Sequence, residues 1–218
     1  MHPALALAIA YVAGSFPTAY LAGRALKGVD LRTIGSGNLG ATNVYRNLGA
    51  TAAVLVLLVD ALKGALPAAV LPGLLDARFV SDAGGAAGTG RALWWGLLFG
   101  AAAIAGHAKP ILLLWKGGGK GVSTAAGIFA ALSPAAFGIS LTVFALTVWR
   151  TRLVSLASIF AAIVLPMAVA LTSGVATPTM YASLLIASFV VWSHRANIDR
   201  LRLGTEPRLG RPAPEESK

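Results

Sequence analysis

AAVLVLLVDALKGALPAAVLPGLL, residues 52–75, holds only two charged side chains, Asp60 and Lys63. As a helix rising 1.5 Å per residue it would be about 36 Å long, enough for a hydrocarbon core of about 30 Å. The same texture recurs on both sides. Of 218 residues, 56% are hydrophobic and 12% are charged, against about 25% charged in ordinary soluble domains. The mean hydropathy is +0.74. These values describe an all-α chain dissolved in a bilayer.

Seven apolar stretches follow, at 3–23, 52–75, 92–114, 122–134, 135–149, 153–172 and 178–193. The fourth and fifth are short, and only Ser133-Pro134 separates them. They could form one kinked helix, since membrane helices tolerate proline, but its length would overshoot the bilayer, so seven spans are expected. Met1-His2-Pro3 lacks a basic n-region and the first apolar run is too long for a cleaved signal, so it reads as a retained helix. Residues 1–206 form one transmembrane domain in this reading, and the Pro-rich, charged stretch 207–218 a flexible cytoplasmic tail.

Orientation follows from the basic residues. Arg24, Lys27, Arg32 and Arg46 follow the first stretch, Lys109, Lys116 and Lys120 the third, and Arg150 and Arg152 the fifth. Arg195, Arg200, Arg202, Arg208, Arg211 and Lys218 lie beyond the last. The opposite loops hold only Arg78 and Arg91, with Asp76 and Asp82 nearby. Alternation over seven spans puts the N-terminus outside and the C-terminus in the cytoplasm. It also locates the formal net charge of +10 in a cytoplasmic collar suited to anionic lipid. Too little polar surface remains for a nucleic-acid face. Without cysteine, a disulfide framework, a thiolate metal site and a thiol nucleophile are excluded. No metal or other cofactor is indicated.

Topology needs charge but not glycine, and three polar islands on the basic side contain more than charge. The first is DLRTIGSGNLGATNVYRNLG, residues 30–49. Its glycine-rich turn can form a nest of backbone N–H groups, and arginine offers a fork for phosphate oxygens. Gly35, Gly37, Asn38 and Asn43 are therefore candidate substrate-binding residues. The plainer reading is a connecting loop built of ordinary turn residues. The second island is GHAKPILLLWKGGGKGVST, residues 106–124. Lys116 and Lys120 bracket three glycines ahead of a helix N-terminus, an arrangement that again suits an anion. It is not a phosphate-binding P-loop of nucleotide enzymes, because Leu114 and Gly121 stand where that pattern needs Gly and Ser/Thr. His107, in an apolar helix, reads as structural when taken alone.

The third island is SHRANIDRLRLGTEPRLG, residues 193–210. A helix here places His194 and Asn197 one turn apart on the same face. His194 and Asp199 also match a His-X4-Asp pattern, but at i,i+5 their side chains diverge by about 140°. Within the second span, Asp60 and Lys63 fit a mutual ion pair that fixes helix packing, with a catalytic role as the alternative.

With these motifs the chain resembles the bacterial acyl-phosphate:glycerol-3-phosphate acyltransferase family, integral-membrane enzymes that make lysophosphatidic acid. The resemblance runs from GSFPTAYLAGR at 14–24, through DALKG at 60–64, to HRANIDRLRLGTE at 194–206. It implies a site on the cytoplasmic side of a bacterial cell membrane, with acyl phosphate and glycerol-3-phosphate as substrates. Ser36 and Arg46 match residues needed for activity. Lys116, Gly117 and Gly118 match a glycerol-3-phosphate-binding motif. His194 and Asn197 match the third motif, and Glu206 matches a glutamate thought structural. The usual second motif is KGGKG, whereas this chain reads KGGGKG, which displaces Lys120. No protein partner is indicated.

An acyl phosphate is already activated, so the expected chemistry is direct attack by the 1-hydroxyl of glycerol-3-phosphate on its carbonyl. Arg46 and Lys116 would hold the phosphates. His194 would take the proton, with the leaving phosphate as the alternative acceptor. Ser36, lacking a local base, would position substrate. A transporter of small anions or phosphate esters is the rival class, although the islands lie at one surface rather than at the midplane.

Overall fold

The computed structural model describes residues 1–80 and 88–210. Asp82, Arg211, Lys218 and the part of the expected tail beyond 210 lie outside them. Among the described residues all regular structure is helical. The chain forms two compact units, Met1–Pro134 and Ala135–Lys218.

The first unit contains α1 (Pro3–Gly14), α2 (Thr18–Lys27), α3 (Ala41–Leu48), α4 (Ala50–Val70), α5 (Ala77–Val80), α6 (Gly88–Ala108) and α7 (Val122–Leu132). Glycine lets these helices approach closely. A Cβ on Gly14 of α1 would collide with the Ala103 carbonyl of α6, and one on Gly106 of α6 with the Tyr11 carbonyl of α1. The pair α4 and α7 repeats the device, with Gly64 against Thr124 and Gly127 against Ala61. Small residues at such crossings supply the packing that bilayer helices need in place of a hydrophobic driving force.

The first apolar stretch is not one helix. Pro17 disfavours helical backbone at Phe16, so the chain breaks at 15–17 and restarts as α2. The freed Phe16 carbonyl accepts from Thr18 N at 3.0 Å and from Lys63 Nζ at 2.7 Å.

The second unit contains α8 (Pro134–Thr151, beginning at the unit boundary), α9 (Val154–Ser173), α10 (Pro178–Ser193) and α11 (Arg195–Arg202). Thr177 caps α10, its hydroxyl accepting from Met180 N at 3.2 Å, and Pro178 occupies the first turn where no N–H is needed. Beyond α11 the chain returns to the α8–α9 corner. Leu209 N donates to Arg152 O at 2.8 Å, and Arg208 Nη1 donates to Thr151 O at 3.0 Å.

The expectation of seven spans needs correcting. Among the described residues, four segments are long and apolar enough to cross a membrane: Pro3–Lys27, Ala50–Leu74, Gly90–Leu113 and Val154–Ser173. The reason is helix length. At 1.5 Å per residue the 11 residues of α7 reach about 16 Å and the 16 residues of α10 about 24 Å, short of a core of about 30 Å. The 18-residue α8 ends on Trp149, Arg150 and Thr151, which dilute its apolar character. Ser133, at φ −150° and ψ 66°, separates α7 from α8, so the two are not one kinked helix.

Candidate active site

The loop 30–40 is folded around one buried amide. Asn43, on the first turn of α3, is 1% exposed. Its Nδ2 donates to Leu31 O at 3.0 Å and Ile34 O at 3.2 Å. Its Oδ1 accepts from Ser36 N at 3.1 Å and from Asn47 Nδ2 at 3.1 Å. Gly35 and Gly37 adopt φ of 60° and 67°, a left-handed conformation that glycine enters without strain. A Cβ on Gly35 would also overlap Asn43 Oδ1. Ser36 and Arg46 are exposed, and Asn38 is half-buried. The loop's shape thus comes from Asn43, which turns its polar atoms to the loop itself.

A second clamp was not singled out from sequence. Asp30 holds Arg32 by a bidentate pair, Nε to Oδ1 at 3.0 Å and Nη2 to Oδ2 at 2.6 Å. Hydrogen bonding to Arg32 is the main reason the Asp30 carboxyl falls to about 2, and the same bond raises the Arg32 pKa. The guanidinium lies 4.9 Å from the centroid of Tyr20 on α2. An Asp and an Arg two residues apart beside a glycine-rich turn were the available signal.

Arg32 also joins the first island to the second. Its Nη1 donates to Lys116 O at 3.2 Å, and its Cδ would stand 2.7 Å from a Cβ on Gly117. Leu39 N donates to Gly118 O at 3.2 Å. Lys116 and Gly117 are exposed, whereas Gly118 and Lys120 are half-buried. Two islands far apart in sequence therefore form one polar surface beside the N-terminus of α7. Ahead of it, Leu114 and Trp115 both have positive φ, 52° and 58°. Trp115 is held there by Nε1 donating to the Tyr11 hydroxyl at 2.9 Å.

Below these loops, Asp60, Lys63 and His107 line a small recess together with residues from 14–19 and Gly118 and Gly119. Asp60 and Lys63 are paired, Nζ to Oδ1 at 2.6 Å.

The third island belongs to the second unit. His194 closes α10 and is buried. Its Nδ1 lies 2.7 Å from Val190 O. Because a carbonyl only accepts, Nδ1 carries the proton and Nε2 is the acceptor of the neutral ring. Asn197 Nδ2 donates to Glu206 Oε1 at 2.7 Å, and Arg200 Nε donates to Oε2 at 2.7 Å. Burial pushes the Glu206 carboxyl up, but hydrogen bonds from Asn197 and Arg200 outweigh it, leaving the pKa below the ordinary glutamate value. Asp199 is exposed while His194 is buried, in keeping with their divergence on a helix.

Known proteins resemble the chain over nearly its whole length. A family model described as glycerol-3-phosphate acyltransferase matches residues 4–204. A glycerol-3-phosphate acyltransferase of Prochlorococcus marinus (strain NATL1A) is 41% identical over 95% of this chain and 98% of its own. One of Synechococcus sp. (strain CC9902) is 45% identical over 94% of each. Among solved structures, the glycerol 3-phosphate form of PlsY (YgiH), an integral membrane glycerol 3-phosphate acyltransferase, superposes with a TM-score of 0.81 at 35% identity. That match covers 95% of this chain and 96% of the other. The lysophosphatidic acid form gives 0.77 at 35% identity, covering 95% of each. This all-helical chain belongs to the glycerol-3-phosphate acyltransferase family.

Proposed function

We propose that the protein transfers a fatty acyl group from acyl phosphate to the 1-hydroxyl of glycerol-3-phosphate, releasing lysophosphatidic acid and inorganic phosphate. The acyl carbonyl is attacked directly, with no acyl-enzyme. The observation that carries this reading is the junction of the first two islands through Arg32 and Leu39. It brings Lys116 and Gly118 beside Arg32 and Leu39, a combination of charge and backbone donors that suits phosphate.

Arg46 and Lys116 hold the phosphates, and the glycine-rich turns bring backbone N–H groups to their oxygens. Lys120 adds charge at the start of α7. Ser36 positions substrate through its exposed hydroxyl, and Asn38 lies beside it. His194 Nε2 accepts the hydroxyl proton, a role consistent with the tautomer fixed by Val190. Asn197 orients substrate while Glu206 fixes its amide. The acyl tail stays in lipid, because a mixed anhydride of a fatty acid partitions there, while its phosphate faces the basic loops. The basic loops that follow α2 and α6 face the cytoplasm, with the N-terminus outside, as the placement of Lys and Arg supports.

The test is donor choice. Purified protein with glycerol-3-phosphate forms lysophosphatidic acid from palmitoyl phosphate and none from palmitoyl-CoA. Equal turnover of the two donors, or the thioester alone, overturns the acyl-phosphate assignment.

A further inference from the structure

Three ionisable side chains lie buried beneath the second island: Asp60 at 1% exposure, Lys63 at 8% and His107 at 7%. A pair whose only task was to pack helices would need Asp60 and Lys63 alone. His107 adds a relationship of a different kind. Its carbonyl accepts from Gly119 N at 3.1 Å, and its imidazole occupies the space a Cβ on Gly119 would need. The loop backbone therefore rests directly on the ring.

The three successive glycines meet three different neighbours. Gly117, at φ 89°, lies over the Arg32 side chain, Gly118 over the Ala108 carbonyl, and Gly119 over His107. Gly119 is not in the left-handed region, so its backbone does not require glycine. What excludes a side chain there is the imidazole. Gly118, next to it, accepts from Leu39 N, so the height at which the ring holds Gly119 is passed to the first island.

The ring is in turn held from α4. His107 Nδ1 faces Asp60 Oδ1 at 3.9 Å, and Asp60 pairs with Lys63. Lys63 donates to Phe16 O at the α1–α2 break. A chain of contacts thus runs from the break, through α4, to the ring and the loop.

We infer that His107 is a positioning residue, seating the Gly118–Gly119 turn at the height needed to bind glycerol-3-phosphate, and that Asp60 and Lys63 hold its ring. This rests on the reading of the second island as a glycerol-3-phosphate site.

The experiment is a double-mutant cycle in the purified full chain, read as the Kd for glycerol-3-phosphate by calorimetry, with melting temperature alongside. Gly119→Ala raises Kd by about tenfold to a hundredfold, the scale of a misplacement near 1 Å. His107→Ala raises it as well, and Asp60→Asn shifts it in the same direction. Adding Gly119→Ala to His107→Ala costs little more, because the clash is gone. Equal costs of Gly119→Ala in both backgrounds overturn the inference. So does a fall in melting temperature with Kd unchanged, the mark of a packing role alone. Lys116→Ala serves as the separate control. If it leaves Kd unmoved while the cycle stays coupled, His107 keeps its role and Lys116 loses the phosphate.

Discussion

Asn43 accepts the backbone N–H of Ser36 at 3.1 Å while its own amide donates to the carbonyls of Leu31 and Ile34. One side chain thereby fixes the turn that carries Ser36. Asn43→Ala orphans these groups, each at about 1–3 kcal/mol when buried. Melting temperature and product formation should fall together. Asn43→Asp keeps the acceptor, loses both donations and should do little better. A melting temperature unchanged in both variants would remove Asn43 from this role.

Gly35, at φ 60° and against Asn43, is the harsher test of the same turn. Gly35→Ala adds left-handed strain of roughly 1–2 kcal/mol as well as a collision. It should abolish activity where Gly28→Ala, at φ 67° with open space around it, reduces it only modestly. Comparable activity in the two variants would contradict the role given to the turn.

Glu206 sets an acid limit. Its folded pKa lies below the ordinary glutamate value of 4.5. Its contribution to stability is therefore complete above that value and lost as pH falls through the folded pKa. Asp30, at about 2 against 3.8, follows the same sign, its share lasting to lower pH. Melting curves from pH 6 down to about 3 should show wild type losing more than Glu206→Gln, which has no carboxylate to protonate. Parallel curves would show that Glu206 is not the group lost.

Much of this fold was legible because apolar length and basic residues are written locally. The apolar stretches 52–75 and 153–172 correspond to long helices, α4 over Ala50–Val70 and α9 over Val154–Ser173. Helix ends were less legible. Pro17 was visible, yet a sliding apolar window passes over the break it makes. Hydropathy alone also credits α7 with a crossing its length does not support. The islands were conspicuous by glycine and charge, but the contact of Leu39 with Gly118 depends on how α1, α4 and α6 pack. The placement of His107 under Gly119 is of the same kind. No periodicity encodes either contact.

Orientation can be read directly, because the chain has no cysteine of its own. In intact cells a membrane-impermeant maleimide should label Arg78→Cys. Arg150→Cys should react only after the membrane is opened. The reverse pattern would invert the topology.

Direct transfer makes a negative prediction at Ser36. Intact mass spectra of enzyme quenched during turnover with palmitoyl phosphate should show no palmitoyl adduct. A palmitoylated Ser36 that forms and decays at the rate of turnover would establish a two-step mechanism instead.

The most direct measurement is the initial rate of lysophosphatidic acid formation from palmitoyl phosphate by wild type, Arg46→Ala and Lys116→Ala. If these two cations hold the phosphates of the reacting pair, each variant should lose about a hundredfold or more in kcat/KM with an unchanged melting temperature. Variants that stay folded and keep turnover within about threefold of wild type, under 1 kcal/mol of transition-state stabilisation, would show that the phosphates are held elsewhere.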